Sequence, residues 1–319
     1  MAIVLSEGLP AAAALRAEGA AVDHALDGGR ALRVVLVNLM PDRQTTETQF
    51  ARLLAASRHR VAMRLALPDG MPARDSDRDH VRRHYRPWSE VASDGIDAVI
   101  VTGAPVERLP FGDVRYWPDL VRILDWVRAR ALPCWFVCWA AQAALWHHHG
   151  IPKRPLADKA FGVHVHPIER PGAGLLAGLG RELVAPVSRH TRTDAADLAG
   201  RPALRVLAAR DDTGLCLADE PGAGAVYMLN HPEYDADTLR REYLRDLASG
   251  RPVRAPENYF PNGNPAADPV AYWRPQAVRL FQNWLEQVAD RRYGRPAKNS
   301  CIVRSTKATS SARRKEAAM

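Results

Sequence analysis

Apolar positions along this chain switch repeatedly between two periods. "LRVVLVNLM" (residues 32–40) is an almost unbroken β-branched and leucine run, the pattern of a strand covered on both faces. "TTETQFARLLAAS" follows, with Phe50, Leu53 and Leu54 at helical spacing behind a Thr-x-x-Glu/Gln start. "VAMRLALP" (61–68) predicts the next strand, and "IDAVIVTGAP" (96–105) a strand closed by a Gly/Pro turn. "WPDLVRILDWVRARA" (117–131) has the spacing of an amphipathic helix. The strand "PCWFVC" then leads into the helix "WAAQAALWHHHG", which Gly150 should stop. Alternating strands and helices predict an α/β fold, a doubly wound, mostly parallel sheet with flanking helices. From about 155 to 230, shorter runs such as "LRVLAAR", "GLCLAD" and "GAVYMLN" predict strands that complete this sheet, with a meander. "DADTLRREYLRDLASG" and "PQAVRLFQNWLEQVADRRYG" predict two late helices. With no repeat or linker to divide it, residues 1–295 read as a single α/β domain.

Composition narrows the class. The chain has 319 residues, 47% of them hydrophobic and 25% charged, enough for a well-buried core. It contains no run of 18 apolar residues, and its N-terminus lacks a basic n-region, so neither a membrane span nor a signal peptide is expected. Four scattered cysteines fit a reducing cytoplasm better than a disulfide scaffold. The net charge of +8 suggests nucleic acid until it is located: residues 291–319 carry nine Lys/Arg against Glu316 alone. That is the whole excess, so the body is formally neutral. Residues 296–319 are therefore expected to be a disordered, solvated basic tail, and no specific nucleic-acid partner is implied.

In open parallel sheets, reactive groups collect at the C-terminal ends of strands. Three such predicted ends carry unusual residues: "VNLMP", "FVCWA" and "YMLNHPEYD". Cys138, in the second, has two readings. Free cysteine is among the most buried residue types, so it can be core. Alternatively, a tight strand-to-helix elbow exposes its sulfur, and the helix N-terminus stabilises a thiolate. The backbone N–H of Trp139 would then face an oxyanion formed on an attacked carbonyl, while Ala140 and Ala141 let the helix pack closely. In "HPE", His231 and Glu233 would point to one side of an extended stretch, Glu233 fixing the imidazole tautomer for a thiol partner. Residue types alone leave both readings open. Cys134 reads as core on the same face as Cys138. His147, His148 and His149 cap a helix without Cys or carboxylate spacing around them, so no metal site is expected. His164 and His166 alternate on a strand, where a solvent face or pocket wall is expected. No dinucleotide fingerprint or phosphate loop implies a bound cofactor.

Three groups of motifs together go further. "VVLVNLMPDRQTTETQFARLL", "VTGAPVERLPFGDVRYWPDL" with "FVCWAAQAAL", and "NHPEYDADTLRREYLRD" resemble the MetA-type homoserine O-acyltransferases, which share the class I glutamine amidotransferase-like (flavodoxin-like) fold. The likeness covers nearly the whole chain apart from the tail. It implies transfer of an acyl group from acyl-CoA, a cosubstrate, to the hydroxyl of L-homoserine in methionine biosynthesis, with ping-pong kinetics. It also implies a cytoplasmic homodimer. Cys138 stands at the family's acyl-thioester nucleophile, His231 at its proton acceptor and Glu233 at that histidine's partner. Lys159, Ser188 and Arg245 match positions that hold the amino acid; Glu242 could take its ammonium or be a surface charge.

Glutaminases of this fold flank the cysteine as Gly-x-Cys-x-Gly, whereas Phe136 and Ala140 stand here, which argues against that second enzyme class. A third reading is a non-catalytic module tethered by its basic tail. Glu107, in "GAPVER", occupies the family position that tracks the donor, glutamate going with acetyl-CoA and glycine with succinyl-CoA. Two like charges about 4 Å apart cost on the order of 4 kcal/mol at an effective dielectric near 20, so Glu107 should repel a succinyl carboxylate. Acetyl-CoA is the expected donor; succinyl-CoA, or serine as acceptor, are the alternatives. After "NLMP" the family usually carries Lys-Lys, the second lysine implicated near the acyl-CoA or the catalytic centre. Here the pair is Asp42-Arg43.

Overall fold

The long apolar runs become the middle of a ten-stranded sheet. The computed structural model describes residues 2–26, 30–172, 174–250 and 252–294, so the basic tail expected from residue 296 lies outside the described residues. The N-terminal part comprises β1 (Ile3–Val4), α1 (Pro10–Ala17), β2 (Val22–Asp23), β3 (Leu32–Val37), α2 (Arg43–Ala55) and β4 (Val61–Leu67). Next come α3 (Arg78–His84), β5 (Tyr85–Pro87), α4 (Trp88–Val91), β6 (Ala98–Val101), α5 (Trp117–Ala129), β7 (Cys134–Val137) and α6 (Trp139–His149). The remainder holds β8 (Arg154–Pro167), β9 (Glu182–Arg192), β10 (Arg205–Arg210), β11 (Gly214–Glu220), β12 (Ala225–Met228), α7 (Thr238–Ala248) and α8 (Arg274–Tyr293).

Strand order is β10-β11-β12-β7-β6-β3-β4-β1-β2, with β5 also on β4. Pairing is parallel from β12 through to β2, and antiparallel only in the β10–β11–β12 meander. The outer edge of β4 is shared lengthwise: β1 pairs at Val61 and Ala62, and β5 at Leu65, Ala66 and Leu67. Alternate side chains of each central strand feed opposite faces. Val34, Leu36, Ile100, Trp135 and Val137 pack under α1, α2 and α8. Val35, Val37, Val99, Val101 and Phe136 pack under α5 and α6. The expectation of a doubly wound, mostly parallel sheet holds.

Three local expectations need correction. β8 and β9 do not join the main sheet but form a separate antiparallel hairpin, with an isolated bridge from Ile168, just past β8, to Ala208 of β10. Its apolar runs read like sheet strands because one face is buried: Phe161 and Val163 pack with Tyr234, Leu239, Tyr259 and Trp273, while Leu183 and Ala185 join the core under α8. The start of α2 is not its Thr-x-x-Gln segment: Asp42 caps it, accepting from the Thr45 N–H at 3.2 Å, and Thr46 already donates back to the Asp42 carbonyl. His164 and His166 are neither on a solvent face nor in the wall of the large cavity described below, being 2% and 0% exposed. By contrast, Gly150 ends α6 in the left-handed conformation (φ 65°), as its sequence position predicts.

Candidate active site

Cys138 sits one residue past β7 with φ 49° and ψ −113°, a strained turn for a residue with a side chain. Two backbone bonds fix it there: its N–H donates to Met228 at 2.7 Å, and its carbonyl accepts from Gln142 in the first turn of α6 at 3.1 Å. Trp139 is the first residue of α6, so its N–H has no acceptor within the helix, as the oxyanion role requires. Ala140, Ala141, Ala143 and Ala144 are all fully buried, which lets α6 lie close to the sheet. The elbow also changes the side on which the cysteine lies. Cys138 packs with Trp135 and Val137, whereas Cys134, core as expected, lies on the opposite face. Gly103, just past β6, faces the elbow; a methyl group there would meet the Cys138 Cβ at 3.2 Å.

His231 meets this cysteine from the segment that follows β12, with Glu233 behind it. The segment is a turn rather than the extended stretch expected, closed by a Tyr234 N–H to His231 carbonyl bond of 3.3 Å. Both side chains are nonetheless buried, and Nδ1 of His231 lies 2.7 Å from Oε1 of Glu233. Burial acts to lower the His231 pKa, but the charges and hydrogen bonds of Glu233 and Cys138 outweigh it and raise it to about 10. Tyr234 stacks on the imidazole, centroids 4.3 Å apart and planes 17° apart.

Lys159 of β8, Ser188 of β9, and Glu242 and Arg245 of α7 line one cavity of about 1190 Å³ together with Cys138, His231 and Glu107. Glu242 is no surface charge. It accepts from Ser188 Oγ at 2.5 Å and from the Tyr234 hydroxyl at 2.9 Å, and Lys159 Nζ stands 3.6 Å away. Lys159 also lies 3.9 Å above the Phe161 ring. Asp246 binds both cations, at 3.1 Å from Lys159 and 2.9 Å from Arg245. Burial would raise the Asp246 pKa, but bonds from Arg245 and Lys159 prevail and lower it.

Asp246 and Tyr234 were not singled out in the sequence, and neither was Arg189. The Arg189 guanidinium is 1% exposed and bonds the carbonyls of Leu229, Thr213 and Leu215, and Oδ1 of Asn230 at 2.6 Å. It thereby fixes the residues leading into His231. Its signal was a cation out of phase with Ser188 and His190 on a strand whose other face is apolar.

Asp42 and Arg43 do not stand in for the family's lysines at the cavity. Asp42 is the helix cap, and Arg43 is buried in an ion pair with Asp77. Nor are the helix-capping histidines without a carboxylate: α5 brings Asp125 to 2.7 Å from His147 Nε2. One ligand atom each of Asp125, His147 and His148 lie within 4.8 Å of one another. The charge of Arg128 also acts on His148 there.

Comparison with known proteins accords with the fold. A solved structure described as a putative GMP synthase protein from Thermoplasma acidophilum matches with a TM-score of 0.53 at 12% identity, covering 83% of this chain and 98% of its own. A glutamine amidotransferase from Methylobacillus flagellatus matches with a TM-score of 0.51 at 13% identity, covering 80% and 94%. These likenesses establish the fold alone. A protein of Chelativorans sp. named homoserine O-acetyltransferase is 43% identical over 90% of this chain and 94% of its own. One of the same name from Synechococcus sp. is 42% identical over 89% and 97%. The profile described as homoserine O-succinyltransferase matches residues 2–293. With its fold and sequence in agreement over nearly its whole length, the chain belongs to this family of homoserine acyltransferases.

Proposed function

We propose that this enzyme transfers the acetyl group of acetyl-CoA to the hydroxyl of L-homoserine through a thioester on Cys138. The observation that carries the reading is the convergence, in one cavity, of the Cys138–His231–Glu233 relay with a cluster suited to a zwitterionic amino acid. His231 holds its proton at neutral pH. The Cys138 thiolate attacks the acetyl-CoA carbonyl, and the Trp139 N–H supports the oxyanion. As the carbon–sulfur bond to CoA breaks, the leaving thiolate takes the proton of His231. Acylation removes the negative charge beside the ring, so the neutral imidazole can then accept the homoserine hydroxyl proton. That oxygen attacks the Cys138 thioester, O-acetylhomoserine leaves, and the thiolate–imidazolium pair is restored.

The substrate ammonium fits Glu242, and its carboxylate fits Lys159 and Arg245, where it would replace Asp246 as their partner. Glu107 in the cavity wall supports acetyl over succinyl, as do relatives named for the acetyl reaction. The same reading makes the protein a cytoplasmic homodimer; among the described residues no helix is long and apolar enough to cross a membrane.

Intact-mass spectrometry after mixing with acetyl-CoA or succinyl-CoA, without acceptor, tests the proposal. The expected result is a gain of one acetyl group, lost in Cys138→Ala and discharged by homoserine but not by serine. Glu107→Gly should add a succinyl adduct. Absence of any adduct in the native enzyme under acid quench overturns the thioester; unchanged donor ratios in Glu107→Gly overturn the role of Glu107.

A further inference from the structure

Most cations lining the active-site cavity are already matched. Lys159 and Arg245 face Asp246, and Arg254 faces Asp158 at 3.6 Å. Lys153, beside the cavity, donates to the carbonyls of Glu107 and Leu109 and lies 4.8 Å from the Phe111 ring centroid. Arg108 is the exception. It lines the cavity and is exposed, and among the described residues it has no carboxylate partner. Its guanidinium Nη2 instead donates to the His190 ring, 2.9 Å from Nδ1 and 3.4 Å from Nε2.

A neutral imidazole can orient an arginine without cancelling its charge. Burial, and then the charge of Arg108 itself, hold the His190 pKa below its usual value, so the ring accepts rather than competes. The turn carrying Arg108 is held at its neighbours, because Lys153 ties the Glu107 and Leu109 carbonyls together. Leu109, 44% exposed, adds an apolar surface to the same cavity rim. Away from this turn, the carboxylates of Asp158 and Glu257 line the cavity, where they would repel an anion.

We propose that Arg108, positioned by His190, binds the phosphate groups of the CoA donor at the cavity rim, with Leu109 beside the apolar arm that leads to Cys138. The inference rests on the acyl-CoA reading above, and it names where the donor's anionic end is held. An arginine fork suits a diphosphate bidentately, whereas an isolated solvated arginine would not need a neutral ring to aim it.

The test compares two donors that differ only beyond the thioester arm: acetyl-CoA, and S-acetylpantetheine, which lacks the phosphates. Loss of one charge-assisted contact in Arg108→Gln should raise KM for acetyl-CoA about tenfold or more, with kcat nearly unchanged. KM for S-acetylpantetheine and for homoserine should stay at native values, and Arg108→Lys should recover part of the loss. An unchanged KM for acetyl-CoA, an equal rise for both donors, or a rise confined to homoserine overturns the assignment. Failure of the acyl-CoA reading is seen separately, as native enzyme that neither donor acylates.

Discussion

In the reaction proposed above, the proton on His231 decides which half can proceed. Glu233 and Cys138 hold that proton on against the effect of burial, so the group loses it only as pH passes about 10. If this proton goes to the departing CoA sulfur, kcat/KM for acetyl-CoA should persist to about that pH and fall above it. Glu233→Gln removes a negative charge that favours the imidazolium, so the pKa must move down. The alkaline limb of kcat/KM should therefore shift to lower pH, with kcat reduced about 100-fold from the weakened relay. A limb that stays in place, measured with acetyl-CoA across the alkaline range, would separate it from His231. Sequence exposed this part of the site well. Cys138, His231 and Glu233 lie in two short motifs at strand ends, and the short bond between the last two spans only two residues. Asp246, Tyr234 and Arg189 were not legible in the same way. Asp246 matters through Lys159, 87 residues earlier, and Arg189 through Leu229, 40 residues later.

Among the elements, the β8–β9 hairpin does most to turn an ordinary doubly wound sheet into this cavity. It carries Lys159 and Ser188, and a segment around Glu257 runs alongside it. Val163 N–H donates to the Glu257 carbonyl at 2.8 Å, and Glu257 N–H to that of Phe161 at 2.9 Å. Gly162 lies between them with φ 150°, where a Cβ would stand 2.4 Å from the Glu257 carbonyl oxygen and 2.5 Å from its nitrogen. Backbone cannot yield as a flexible side chain does. Gly162→Ala should cost about 2–3 kcal/mol. It should also raise KM for homoserine, because the displaced segment borders the cavity beside Lys159. Urea unfolding and steady-state kinetics read the two effects; a native unfolding midpoint would show that the segment is not held at Gly162. This hairpin was also the element least legible in the sequence. A strand covered by a hairpin partner on one edge and by helices on one face has the same apolar alternation as a sheet strand. The central strands were legible because burial on both faces leaves unbroken runs such as "LRVVLV".

For the whole molecule, the net charge is concentrated at one end of the chain. Seven Lys/Arg and Glu316 lie beyond Gly294, so a chain ending there keeps a formal charge of +2 out of +8. Gly294 closes α8 in the left-handed conformation (φ 71°), a natural stop. The two arginines just before it belong to the folded body: Arg292 lies 3.3 Å from Asp97, and Arg291 donates to the Arg130 carbonyl at 3.0 Å. Cutting after Gly294 should therefore leave the core contacts of α8 through Trp284, Leu285 and Val288 intact. In about 0.15 M salt, exposed charges are screened beyond about 8 Å, so charges farther than that from the cavity steer an anionic donor only weakly. The shortened enzyme should match the full chain in kcat/KM for acetyl-CoA and homoserine at that ionic strength. It should also leave a heparin column at lower salt, having lost most of its net positive charge. A fall in turnover would mean that residues 295–319 reach the active site; unchanged heparin retention would mean that the folded body, despite its near-neutral balance, carries a cationic face of its own.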